Sequence, residues 1–181
     1  MPEKIVQGDL LYHSVHGLCR VNEIIKQNAG SKDVVYSIVP KLPTQMKVRF
    51  VVSKNDIPVS GFHSPVSLKE ANQILEFLKK GDKAVNAAIA DRKAAAPPIV
   101  QETETWALAK AISSCSKEKS DAKDQRKRQM LERSARGLVR ELAFVMAITV
   151  QETVNRVRRS LSHASKINPL VLAALTQAVE D

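Results

Sequence analysis

Aromatic residues are scarce in this 181-residue chain: four Phe, two Tyr and one Trp make up only 4% of it. A core with so few rings has to be assembled mainly from Leu, Ile, Val and Ala. Cysteine is nearly absent. Cys19 and Cys115 supply neither a disulfide framework nor, by themselves, a four-ligand zinc site, and reduced thiols in a cytoplasmic protein are the plain expectation. No apolar run approaches the roughly 18–20 residues that a membrane-crossing helix needs, and the opening MPEKIVQGD holds no apolar stretch of signal-peptide length. The six glycines are scattered, so no glycine-rich loop is available to cradle phosphates. These absences argue against secreted, membrane-spanning and disordered classes.

Positive charge is what the chain has in excess. Lys and Arg number 28 against 19 Asp and Glu, a net +9. That balance favours a polyanionic partner, nucleic acid before membrane, and says nothing about fold. Hydrophobic residues at 44% and charged residues at 26% are ordinary for a globular protein, and the length suits one large domain or two small ones.

The two halves follow different periodicities. In residues 1–62 the runs Leu10–Tyr12, Gly17–Val21, Val34–Val39 and Met46–Val52 are short and rich in β-branched residues. Turn signals separate them: Gly8-Asp9, Asn28 to Ser31, and the Pro40/Pro43 pair. Four or five such strands predict one small, strongly bent antiparallel sheet or SH3-like barrel, because closure removes exposed edges. From Ser64 onward the period becomes helical. Leu68, Ala71, Ile74, Leu75 and Leu78 follow i, i+3, i+4, i+7 spacing up to Gly81, and Ser67 and Glu70 have capping-box spacing. A second helix is predicted over about 82–95, stopped by Pro97-Pro98. A third, from about Glu102, carries Trp106, Leu108, Ala109 and Ile112, with a break expected at the polar Ser113-Ser114 and Ser116-Lys117. The longest runs from about 122 to 147 with Met130, Leu131, Leu138, Leu142, Val145 and Met146 on one side. Another spans 149–164, and Asn168-Pro169 is a cap-plus-first-turn start for the last. The fold class predicted is thus α+β, a small antiparallel barrel over 1–62 followed by an all-helical bundle over 66–181.

Candidate chemistry is limited. His13, His16 and Cys19 recur every third residue, but on a strand-turn-strand segment they share no face and no fourth ligand lies nearby, so histidines bonded to turn backbone explain them better than a metal. No metal or other cofactor is expected. His63 beside Phe62 reads as packing, and His163 near a helix C-terminus is electrostatically comfortable there. No nucleophile–base constellation is present, so an enzyme is not expected. The basic run Lys117, Lys119, Lys123, Arg126, Lys127, Arg128, Arg133, Arg136 and Arg140 is offset only by Glu118, Asp121, Asp124 and Glu132. Such a run can neutralise phosphates and release counterions, or it can be a solvated face braced by pairs such as Arg136 with Glu132.

The segment Gly8-Asp9-Leu10-Leu11-Tyr12-His13-Ser14-Val15-His16-Gly17-Leu18-Cys19-Arg20-Val21 resembles the pattern G-D-x-V-x-H-x-x-H-G-x-x-x-V. That pattern opens the RNA-polymerase-interacting domain shared by the CarD family and the transcription-repair coupling factor. Asp33–Ile38 is similar to the family's middle strand, Lys47–Val51 to its "VRVP" strand, and Asn55–Gly61 to its closing segment. Arg128–Ala143 resembles the CarD family's "RMLxxAxxxLVxELA" helix, which the coupling factor lacks. The resemblance implies a Tudor-like N-terminal domain that docks on the β subunit of bacterial RNA polymerase. It also implies a helical domain that touches promoter DNA, largely without sequence choice, at the upstream edge of the opening bubble and so modulates open-complex stability. By the same resemblance Arg49, beside Lys47, is the polymerase-contacting arginine. The family's other basic contact falls on Gln27, next to Lys26, which is a departure. The family's DNA-wedging Trp has no counterpart near Ala87–Lys93, where Arg92 and Lys93 would keep the phosphate contacts; the basic run adds Arg126, Lys127, Arg128, Arg133, Arg136 and Arg140 as further DNA-contact candidates. Trp106 falls on the next helix and reads as a core residue. A monomer with no membrane partner is expected. Two other classes stay open: a polymerase-binding interaction module without DNA contact, and a small enzyme built on the bundle.

Overall fold

The computed structural model describes residues 5–13, 15–26, 34–41, 48–80, 104–117, 125–164 and 167–180. The chain is α+β and divides into two compact units, Met1–Pro65 and Val66–Asp181.

The first unit is a curled antiparallel sheet of five strands: β1 (Leu10–His13), β2 (Gly17–Lys26), β3 (Val34–Pro40), β4 (Phe50–Ser53) and β5 (Phe62–His63), in the order β4-β3-β2-β1-β5. The chain enters β1 through Gly8, whose φ of 95° suits only glycine well, and the Asp9 carboxylate accepts the Val6 N–H at 2.7 Å. β1 and β2 form a hairpin in the register His13 opposite Gly17. Gly17 sits at φ 68°, and His13 Nδ1 accepts the backbone N–H groups of Val15 (3.0 Å) and His16 (3.3 Å). The residues of the His-x-x-His-Gly pattern thus build a turn. The ladder between β2 and β3 shifts register between Val21 and Glu23, a bulge that adds twist.

β3 lies inside the sheet, and Val35, Tyr36, Ser37 and Ile38 are all buried. Burial on both faces is why Val34–Val39 reads as a nearly continuous apolar run. The core is made of Leu11, Cys19, Val21, Tyr36, Ile38, Ile57 and Phe62. The outermost strands approach each other through their side chains: the rings of Phe50 on β4 and Phe62 on β5 are 5.3 Å apart, nearly edge to face. Against the strand expected over 46–52, ladder pairing begins only at Phe50 and runs to Ser53, so Arg49 precedes the strand.

The second unit contains, among the described residues, five helices: α1 (Leu68–Lys80), α2 (Glu104–Lys117), α3 (Gln125–Met146), α4 (Val150–Ala164) and α5 (Pro169–Glu180). The helix expected over 82–95 lies outside the described residues. α1 starts at the predicted capping box: Ser67 Oγ accepts the Glu70 N–H at 3.2 Å, while a Glu70 carboxylate oxygen accepts the Ser67 N–H at 2.8 Å. Leu68, expected on the apolar side, is 56% exposed, and Phe77 is buried instead. α2 runs through the break expected at Ser113–Lys117. Ser113 and Ser116 are buried, and the Ser116 hydroxyl donates to the Ser113 carbonyl at 2.7 Å, so the helix absorbs its own polar groups. Trp106 packs against the core with its ring 5.7 Å from Phe77.

α3 ends at Ala147, whose φ is 53°. The Ile148 N–H reaches the Ala143 carbonyl at 3.1 Å and the Ala147 N–H the Phe144 carbonyl at 3.2 Å, the paired bonds of a Schellman stop. Thr149 Oγ1 then accepts the Glu152 N–H to open α4, and Asn168 Oδ1 accepts the Leu170 N–H to open α5 at Pro169. The core joins Ile74, Phe77 and Leu78 of α1, Ile112 of α2, Leu131, Leu138 and Leu142 of α3, and Val157, Leu161 and Leu175 from α4 and α5. Met130, expected on that side, is instead 46% exposed.

Candidate functional site

On the sheet, Arg49 is held in place by two strands that are not its own. Its Nε donates to Ser37 Oγ of β3 at 2.7 Å, and its Nη2 donates to Glu23 Oε2 of β2 at 2.9 Å. Ser37 stands opposite both Glu23 and Val51 in the ladder, so these three form one row across the sheet. Ser37 follows Tyr36 and precedes Ile38, both core residues, and strand alternation therefore turns it to the other face. The Arg49 and Glu23 side chains stay about half exposed, at 51% and 54%. A guanidinium has five N–H donors, and these contacts use two. Next to it Val51 is 64% exposed on β4, and β4 is an outermost strand that pairs with β3 alone among the described residues. Unpaired main-chain groups on such a strand can take an extended partner segment, while the held arginine is ready for a carboxylate. Of the other candidate residues here, Lys47 and Gln27 lie outside the described residues, as does the side chain of Lys26.

His13, His16, Phe50 and Phe62 stack in sequence around the same end of the sheet, with ring centroids 4.5–5.3 Å apart. Cys19 is buried in the core, its thiol donating to the Gly17 carbonyl at 3.6 Å, and burial pushes that thiol up to about 11. His13, His16 and Cys19 therefore do different structural jobs. No group of three His, Cys, Asp or Glu among the described residues is placed to hold a metal ion.

The basic stretch of α3 is split by the helix geometry. At 3.6 residues per turn, Arg126, Arg133, Arg136 and Arg140 fall within an arc of about 80°. Arg126 and Arg133 are exposed, and Arg136 and Arg140 are partly exposed. Lys127 and Arg128 point more than about 100° away from the middle of that arc. Arg128 Nε donates to Glu132 Oε1 at 2.8 Å, so the acid expected to brace Arg136 is engaged by the arginine one turn before it. Arg92 and Lys93 lie outside the described residues, as do Lys119 and Lys123. Two apolar side chains share the arginine face: Met130, and Phe144 at 40% exposure.

Three features escape a reading of the sequence. Arg158 and Arg159 on α4 are exposed, and Arg156 bonds Glu152 at 2.8 Å. On α1, Glu76 lies 3.0 Å from Lys80 and 3.9 Å from Lys79; the Lys80 hydrogen bond and the charges of Lys80, Lys79 and His163 hold its carboxyl below the usual range. Most consequential is Glu141, fully buried on α3. Its carboxylate accepts the Val66 N–H at 3.0 Å and the Thr105 hydroxyl at 2.8 Å, tying the starts of α1 and α2 to the middle of α3. The only signal for it in the sequence is a lone acid inside the apolar Leu138–Ala143 run.

No protein-family model matches the chain, and no curated protein is detectably similar to it. No helix among the described residues is long and apolar enough to cross a membrane.

Proposed function

We propose that this protein is a CarD-like transcription regulator. Its first unit is a Tudor-like module that docks on the β subunit of RNA polymerase, and its helical unit contacts promoter DNA beside the transcription bubble to modulate open-complex stability. The observation that carries the reading is the placement of Arg49. It lies where the resemblance puts the polymerase contact, held by Ser37 and Glu23 at the start of an outermost strand with a free edge among the described residues. The arginine face of α3 supports the second half of the reading, since a row of guanidinium groups suits phosphates without selecting sequence. The interaction-module alternative draws on Trp106, which packs into the core beside Phe77 and so is not displayed for insertion into DNA.

The test is capture of the polymerase β subunit by the full chain, wild type against Arg49→Glu. The substitution replaces a donor by a carboxylate beside Glu23, at the start of an outermost strand. Capture should fall at least about tenfold, the equivalent of ~1.4 kcal/mol, because removing one member of an interfacial charge pair costs this much or more. Undiminished capture by Arg49→Glu would remove the arginine from the interface, and no capture by either protein would overturn the partner.

A further inference from the structure

Resting on the reading that the helical unit contacts nucleic acid, we infer that the arginine face of α3 binds an unpaired strand in preference to duplex, with Phe144 and Met130 touching bases and Arg133 and Arg140 touching phosphates. The apolar residues are the departure that needs an explanation. α3 buries Leu131, Leu138, Val139, Leu142 and Ala143 almost completely, yet Phe144 is 40% and Met130 46% exposed. Both lie among the arginines. Met130 is four residues after Arg126 and three before Arg133, and Phe144 is four after Arg140, so each is a direct neighbour on the helix surface. Arg140 and Phe144 are about 6 Å apart along the axis, and Arg133 and Arg140 about 10.5 Å, at 1.5 Å per residue.

Charge complementarity selects the occupant. The only carboxylates of α3 are Glu132 and Glu141; the first is engaged by Arg128 and the second is fully buried. The face is therefore cationic and apolar, with its one partly exposed acid, Glu132, at the rim and already paired with Arg128, which calls for a polyanion that also offers apolar surface. Duplex turns its base faces inward and presents phosphates and groove edges, which would satisfy the arginines and leave a phenyl ring and a thioether without counterparts. An unpaired strand offers both chemistries in alternation. Its phosphates meet guanidinium groups while its base faces stack on the ring, an arrangement tolerant of sequence because every base has a π face.

The experiment is fluorescence anisotropy of the full-length protein with one labelled oligonucleotide, single-stranded or annealed to its complement, across a salt series. The single strand should bind more tightly than the duplex. Phe144→Ala should weaken it about 5- to 160-fold with little change in salt dependence, the range seen when a base-stacking ring is removed, whereas Phe144→Tyr, which keeps the ring, should bind like wild type. Arg133→Gln combined with Arg140→Gln should instead flatten the dependence of log K on log salt by about 1.4, two phosphate contacts at about 0.7 each. Equal affinity for both forms with no effect of Phe144→Ala would overturn this inference and leave promoter-duplex contact standing. Binding of neither form at low salt would overturn both, leaving the polymerase contact alone. Phe144-dependent binding of an acidic peptide, with no nucleic-acid binding, would overturn it in favour of a protein partner.

Discussion

Replacing Ala147 by glycine should make the protein more stable, although most glycine substitutions do the opposite. Ala147 terminates α3 at φ 53°, in the left-handed region, with the two cross-bonds from Ile148 to Ala143 and from Ala147 to Phe144 in place. There an L side chain crowds its own carbonyl at a cost of about 1–2 kcal/mol. Removing the Cβ recovers that cost, but the freer glycine backbone loses about 0.5–1 kcal/mol more entropy on folding. The balance is a gain of about 0.5–1 kcal/mol. Since 1 kcal/mol moves the melting midpoint of a domain of this size by roughly 3–6 °C, the shift should be upward by about 2–5 °C. Gln129→Gly is the matched control. Gln129 is an exposed position within the same helix, where the same residue should cost about 0.5–1 kcal/mol. Urea unfolding followed by helical circular dichroism measures both on one axis. If Ala147→Gly lowered stability as Gln129→Gly does, the chain at 147 would not be left-handed in solution and the helix stop would be wrongly assigned.

Glu141→Ala should leave two buried donors, the Val66 N–H and the Thr105 hydroxyl, without this acceptor. At about 1–3 kcal/mol each the loss sums to roughly 2–6 kcal/mol. Glu141→Gln should cost less, since its amide oxygen still accepts one of them, and equal urea midpoints for the two variants would refute the carboxylate's bridging role. Cys19 should resist alkylation at pH 8 in the native protein and react only on unfolding; fast native labelling at that position would contradict its burial. Its thiol is raised in the fold to about 11 from an ordinary 9.0, so the unfolded chain releases this proton first. The stabilising contribution is full below about pH 9 and declines as pH climbs through 11, a slope that Cys19→Ala should lessen in urea midpoints taken between pH 8 and 11.

Local signals carried much of the secondary structure. The Ser67/Glu70 box, the Asn168-Pro169 start and the glycine at 17 each act within a few residues, and each forms the cap or turn that its residue types dictate. The α+β class followed from the change of period near Ser64. What could not be read off depends on partners distant in the chain. Ser113 and Ser116 look like a break until their burial inside a continuous helix is seen. Met130 fits the apolar face by spacing, yet the stripe actually covered by neighbouring helices is narrower and leaves it outside. At Arg49, the residue type and the family pattern marked the position, but Ser37 and Glu23, 12 and 26 residues before it, are what orient the side chain. Glu141 is the same case in the helical unit: its partners Val66 and Thr105 lie 75 and 36 residues away.

Arg49 also bears on the thermodynamics of the proposed docking. A long cationic side chain waving in solvent forfeits about 0.5–1.5 kcal/mol of rotational freedom when a complex forms. Here the hydroxyl of Ser37 and the carboxylate of Glu23 have already collected much of that penalty during folding. A lysine at the same place, with one nitrogen in place of a planar fork, could not be tethered at two points and still face outward. The swap usually regarded as mild would turn a stiff hook into a slack one.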